Sequence, residues 1–139
     1  MKTKKQFTYG HAIVYAIGLE LVLILIQYLL LVIYHVNNPG TAFSFNSEYM
    51  MSRGFYIFLL PGFIIYATVV FLLMQKYEFT SAVYLFVLLL TAAAIEVGFY
   101  LSIAADYQGA FMYSILDKVI GTGLGVIGYY AIGQPEEAR

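Results

Sequence analysis

The chain has 139 residues, of which 62% are hydrophobic and 11% charged, with no cysteine and a formal net charge of −1. Soluble domains average about 45–50% apolar and about 25% charged residues, so this composition is that of a membrane protein. Without cysteine there are no disulfides, thiolate catalysis or cysteine metal sites, and without a basic stripe laced with aromatics there is no footprint of a nucleic-acid partner.

The first element follows a basic MKTKK segment and runs apolar over 10–34. This is far longer than the roughly 7–15 residues of a signal-peptide core, and no small-x-small site closes it. It is expected to be an uncleaved span, with Glu20 near its middle. A longer connection, VNNPGTAFSFNSEYMMSR, turns at Pro39-Gly40 and ends on Arg53. The second span covers 54–74 and contains Pro61-Gly62, read as a kink that frees a backbone carbonyl for neighbours to satisfy. The tight QKYEFT turn carries Lys76. The third span covers 81–104 and holds Glu96. After the short AADYQG turn, the fourth covers 109–132 with Asp117 and Lys118 inside it. Starting that span after Lys118 would leave about 15 apolar residues, short of the roughly 20 that cross hydrocarbon.

The expected architecture is therefore an all-α membrane protein, one domain forming a four-transmembrane-helix bundle. Lys2, Lys4, Lys5, Lys76 and Arg139 fall on one side of it and only Arg53 on the other. The positive-inside rule then places both termini in the cytoplasm. His11, Tyr34, His35, Tyr107 and Tyr129-Tyr130 fall near the two interfaces, where amphipathic rings are favoured.

The fourth span contains G-x-G-x-x-G at Gly123, Gly125 and Gly128. A dinucleotide site needs a strand before the glycines and an acidic residue about 20 positions after them. Neither is present, so no nucleotide and no other cofactor is expected. Gly121 and Gly125 also form G-x-x-x-G, and residues 117, 121, 125 and 128 share one helix face. Small residues on a face let another backbone approach closely in lipid. The glycine face is thus expected to pack inside the bundle, with homodimerisation as the alternative.

Glu20, Glu96, Asp117 and Lys118 all lie within spans, where each costs about 2.5–3.5 kcal/mol on insertion scales and faces a partner or water. The third helix runs outward and the fourth inward. Counting back at about 1.5 Å per residue puts Glu96 and Lys118 both roughly 12–14 Å below the outer surface. They are expected to pair. Asp117, on the glycine face, then needs another donor, for which Arg53 can reach down from above. Glu20 has no basic residue clearly at its level, so tyrosine, threonine and glutamine side chains are its candidate hydrogen-bond partners, Gln27 among them two turns along its face. The two histidines lie at opposite ends and make no metal site, and no catalytic triad can be assembled.

Three segments carry a family resemblance. FLLPGF (58–63), AIEVGF with Glu96, and DKVIGTGLGVIGYY with Asp117 and Gly128 resemble the VanZ-like family of small bacterial membrane proteins over about 80 residues. Gly121 and Phe99 depart from it, standing where the family carries asparagine and glutamine. The resemblance implies four spans, the bacterial inner membrane and a cell-envelope role linked to glycopeptide-antibiotic tolerance. Three functions follow in order: an accessory or binding subunit of an envelope complex, with other membrane subunits or self-association as partners in the lipid bilayer; a proton- or ion-linked transporter or channel using Glu96, Asp117, Lys118 and Glu20; and a membrane enzyme on a lipid-linked substrate.

Overall fold

The computed structural model describes residues 3–37, 59–103 and 111–134. Among the described residues there are four α-helices: α1 (Tyr9–Asn37), α2 (Leu60–Lys76), α3 (Val83–Ile103) and α4 (Phe111–Gly128), which continues into a π-helical turn at Tyr129–Gly133. The expected connections 38–58 and 104–110, Arg53 with them, lie outside the described residues. Three helical stretches, Tyr9–Tyr34, Val83–Ser102 and Ser114–Gly133, are long and apolar enough to cross a membrane. The 17 residues of α2 are shorter, rising about 25 Å against a hydrocarbon layer of about 30 Å.

Local chemistry sets the helix ends. Thr8 caps α1: its Oγ1 accepts the His11 N–H at 3.3 Å, and the Thr8 N–H donates back to His11 Nδ1 at 3.2 Å. This is a capping box with histidine where glutamate usually stands. Pro61 sits in the first turn of α2, where a missing N–H leaves no helical bond unmade. The upstream arm of the expected kink, 54–58, lies outside the described residues. At the other end of α2, Tyr77 turns extended and its N–H returns to the Leu73 carbonyl. Lys4 Nζ donates to the next orphaned carbonyl, Met74 O, at 3.1 Å. Ser81 Oγ accepts the Val83 N–H at the start of α3.

A two-residue parallel pairing was not expected from the sequence. Strand β1 (Lys5–Gln6) pairs with β2 (Tyr77–Glu78), and the Phe7 N–H donates to Glu78 O at 2.9 Å. Lys4 also donates to the Tyr129 hydroxyl at 3.0 Å. The segment before α1, the α2–α3 turn and the end of α4 therefore meet at one end of the bundle, gathered round Phe7, which stacks on Phe79 and meets Tyr77 edge-on.

The helices pair unevenly. Helix α2 packs most closely on α4, and α1 on α3; contacts between the two pairs are sparser. Ala12, Ala16, Leu19 and Leu23 of α1 share an apolar cluster with Leu88 and Ala92 of α3 and with Tyr66 and Leu73 of α2. The outward faces carry Ile13, Val14, Leu21, Leu25, Ile64, Phe86, Leu90 and Ile127, all exposed, while Glu20, Gln27, Glu96, Asp117 and Lys118 are buried. Burying the charges and exposing the aliphatics inverts the arrangement water selects. It is the arrangement that a hydrocarbon surround favours.

Candidate functional site

The α2–α4 seam positions the site. A methyl group at Gly125 would lie 2.7 Å from the Ala67 carbonyl, and one at Gly121 2.9 Å from Tyr66 Cβ and 3.0 Å from Phe63 O. The glycine face of α4 thus meets the backbone of α2 within the bundle. Gly128, expected on that face, has only ordinary contact, 3.6 Å, with the Phe71 ring. Gly62 has a role that its place beside proline did not reveal. A Cβ there would fall 2.1 Å from Asp117 Oδ2 and 2.7 Å from Asp117 Cβ, so its bare α-carbon makes the space that the Asp117 carboxylate fills.

With α4 pressed on α2, Lys118 points into the centre. Its ammonium bonds Glu96 Oε2 of α3, the pair expected from depth. It lies 3.4 Å from Asp117 Oδ1 and, across the bundle, 3.3 Å from Glu20 Oε1 of α1. The last contact corrects the expectation that Glu20 has no basic residue at its level. The long lysine stem closes a few ångströms of depth that residue counting from opposite membrane faces had left between them. The Tyr66 ring of α2 lies under the ammonium, its centroid 5.5 Å from Nζ. All four helices contribute, and all four ionisable groups are 0–1% exposed.

Neutral groups surround these charges. The Tyr66 hydroxyl donates to Glu20 Oε1 at 2.5 Å. Gln27 does not bond Glu20, as its spacing had led us to expect. Its amide donates instead to Glu96 Oε1 at 3.0 Å and its carbonyl accepts from the Tyr100 hydroxyl at 2.5 Å. Ser114 and Thr122 are buried on the α4 face that carries Asp117 and Lys118. Tyr66 and Tyr100 were missed in the sequence because fourteen tyrosines offer no way to tell a buried hydroxyl from an interfacial ring. Their spacing held a faint signal: Tyr100 follows Glu96 by four residues, on the same face.

Among the described residues the charge count is unbalanced. Three carboxylates surround one ammonium, which has three N–H donors. Glu20 Oε2 and Asp117 Oδ2 have no hydrogen-bond partner among the described residues. A fully ionised site would hold two surplus negative charges in the dry interior, at several kcal/mol per uncompensated ion. Two protons, or other cations, would remove that surplus. The ammonium already occupies the position where the carboxylates converge. No grouping of histidines and carboxylates suited to a metal ion occurs among the described residues.

The polar chain extends beyond the ammonium. From the ammonium it continues through Glu96 and Gln27 to Tyr100, one turn nearer the end of α3. Toward the basic end, the next buried positions are the apolar Leu19, Ala16 and Ala12 of α1 and Ala92 and Leu88 of α3, while α4 offers the Thr122 hydroxyl. A lateral apolar recess of about 380 Å³ between α3 and α4, lined by Phe86, Leu90, Ala93, Ile115 and Lys118, reaches the cluster from the side.

Comparison with known proteins returns no matching family model, no matching curated protein and no matching solved structure.

Proposed function

We propose that this chain is a multi-pass protein of the bacterial plasma membrane whose central acid–lysine cluster takes up and releases protons, as the working site of a small proton-linked transporter. One observation carries the reading: Glu20, Glu96 and Asp117 share the single ammonium of Lys118 inside the bundle. A cluster that served only to fix helix register would be balanced, because a surplus of buried charge destabilises without adding specificity. Intramembrane carboxylates joined by hydrogen bonds are the parts of proton relays, and here Glu20 and Glu96 meet at Lys118, with Tyr100 and Gln27 bonded in line behind Glu96 to orient it.

The test is proton movement. Purified protein in liposomes containing a pH-sensitive dye should relax an imposed pH gradient, and Glu96→Gln should stop it while the protein stays folded. Absence of flux through folded wild-type protein, across a panel of driving ions and solutes, would remove the reading.

The accessory-subunit reading has a specific observation of its own. Residues carrying the VanZ-like resemblance converge in space: Gly62 cradles Asp117, and Glu96 meets Lys118 beside it. A chain that keeps this cluster for rigidity would hold a partner subunit through its outer faces. Mild-detergent purification yielding a stoichiometric second membrane protein, with no flux in liposomes, favours that reading.

A further inference from the structure

The end of the bundle where β1 and β2 pair holds a second site, unrelated to the buried cluster. A recess of about 530 Å³ is lined by Lys4, Lys5, His11, Gln75, Lys76 and Tyr77. Every ion pair among the described residues belongs to Lys118, so no carboxylate there lies at salt-bridge distance from these lysines. Lys4 spends two of its three donors on Met74 O and the Tyr129 hydroxyl, leaving one. Lys5 and Lys76 are exposed. His11 Nδ1 accepts the Thr8 N–H, which leaves Nε2 as the donor of the ring. The recess is a convergence of N–H donors and positive charge with no carboxylate at salt-bridge distance among the described residues.

Directly beneath it is an apolar groove. Helices α1 and α2 part to leave about 670 Å³ bounded by Val14, Tyr15, Gly18, Val22, Ile65 and Val69. A Cβ at Gly18 would touch nothing within 4 Å. The recess and the groove are neighbours along α1. His11 lines one and Tyr15, a turn further along the same face of α1, lines the other. Tyr77 of the recess and Tyr15 of the groove touch through their hydroxyls at 3.1 Å.

We infer that this recess and groove together form a binding site for one anionic phospholipid, its phosphate headgroup held by Lys5, Lys76, Lys4 and His11 and an acyl chain lying between α1 and α2. Charge complementarity selects the headgroup, since a zwitterionic lipid would bring a cation to a site already rich in them. The groove selects a lipid over a free anion, because inorganic phosphate has nothing to place there. The site is the bundle end that the positive-inside rule assigns to the cytoplasm, where anionic lipids attract basic segments.

Native mass spectrometry of the detergent-solubilised full chain tests this, with phosphatidylglycerol, phosphatidylcholine of the same acyl chains, and inorganic phosphate as probes. Wild-type protein should retain phosphatidylglycerol about tenfold over phosphatidylcholine. The double substitution Lys5→Gln/Lys76→Gln should abolish that preference. Gly18→Leu, whose Cβ meets no atom within 4 Å and whose side chain occupies part of the groove, should weaken retention of both lipids. Equal retention of the two lipids by wild type overturns the site, as does an unchanged preference in the lysine variant. Displacement of phosphatidylglycerol by equimolar inorganic phosphate also overturns it, since a bare anion site would then suffice. Both variants lie outside the buried cluster, so the outcome does not depend on whether the protein moves protons.

Discussion

The seam between α2 and α4 and the boundary between the two helix pairs are made of opposite materials. At the seam, backbone meets backbone: a methyl on Gly125 would sit 2.7 Å from a main-chain oxygen of α2. At the boundary, α1 and α2 stand apart around an open groove, and a methyl on Gly18 would meet nothing. Apolar contact crosses the boundary where Tyr66 and Leu73 of α2 join the α1–α3 cluster, and with it crosses the Lys118 ammonium, reaching from α4 to Glu20 and Glu96 of the other pair. In hydrocarbon, apolar side chains gain little from leaving lipid for one another. Close packing and hydrogen bonds carry the association instead. Close packing joins α2 to α4, and the four buried ionisable groups gather where the two pairs meet.

The largest effect should come from removing the joint. Lys118→Met leaves three buried acids with no cation and is expected to cost about 3–5 kcal/mol in reversible unfolding in mixed micelles. Adding Glu96→Gln should return part of that loss, because it removes one of the abandoned carboxylates. Strict additivity of the two changes would show that the contact does not couple the pairs. Next comes the seam. Gly125→Ala pushes a carbon against fixed backbone and should lose about 1–3 kcal/mol, with Gly62→Ala comparable because it displaces the Asp117 carboxylate. The smallest change is the control. Gly123 lies two residues from Gly125, yet a Cβ there meets nothing within 4 Å. Gly123→Ala should be neutral or stabilising by up to about 1 kcal/mol through helix propensity. If both alanine variants behaved alike, the seam would not be the close contact described.

Much of this was legible in the sequence. Apolar run length located the helices, with α3 lying within its expected span, because about 20 apolar residues leave few alternatives to a span. Counting helical rise from a shared outer boundary paired Glu96 with Lys118, since both belong to adjacent antiparallel helices. The same counting failed for Glu20. Its depth was measured from the other membrane face, and errors of a few ångströms from each side were comparable to the reach of a lysine. The glycine pattern indicated a packing face but not its partner, because four helices offer three choices and sequence spacing describes only one of the two surfaces. Gly62 looked like part of a kink, and its true relation to Asp117 is a contact between residues 55 apart in the chain. The β1–β2 pairing, two residues on each strand, is too short for any periodicity to announce.

That short pairing imposes an order on biogenesis. Residues 5–7 leave the ribosome well before residues 77–78, their only backbone partners described here. At about 5–20 residues per second, translation leaves them waiting roughly 4–14 s, until α1, α2 and the turn after α2 have been synthesised. The leading segment therefore gains its strand partner only once α1, α2 and the turn after α2 have been made. Docking of Phe7 among the aromatic rings then records that the first two helices have reached their places.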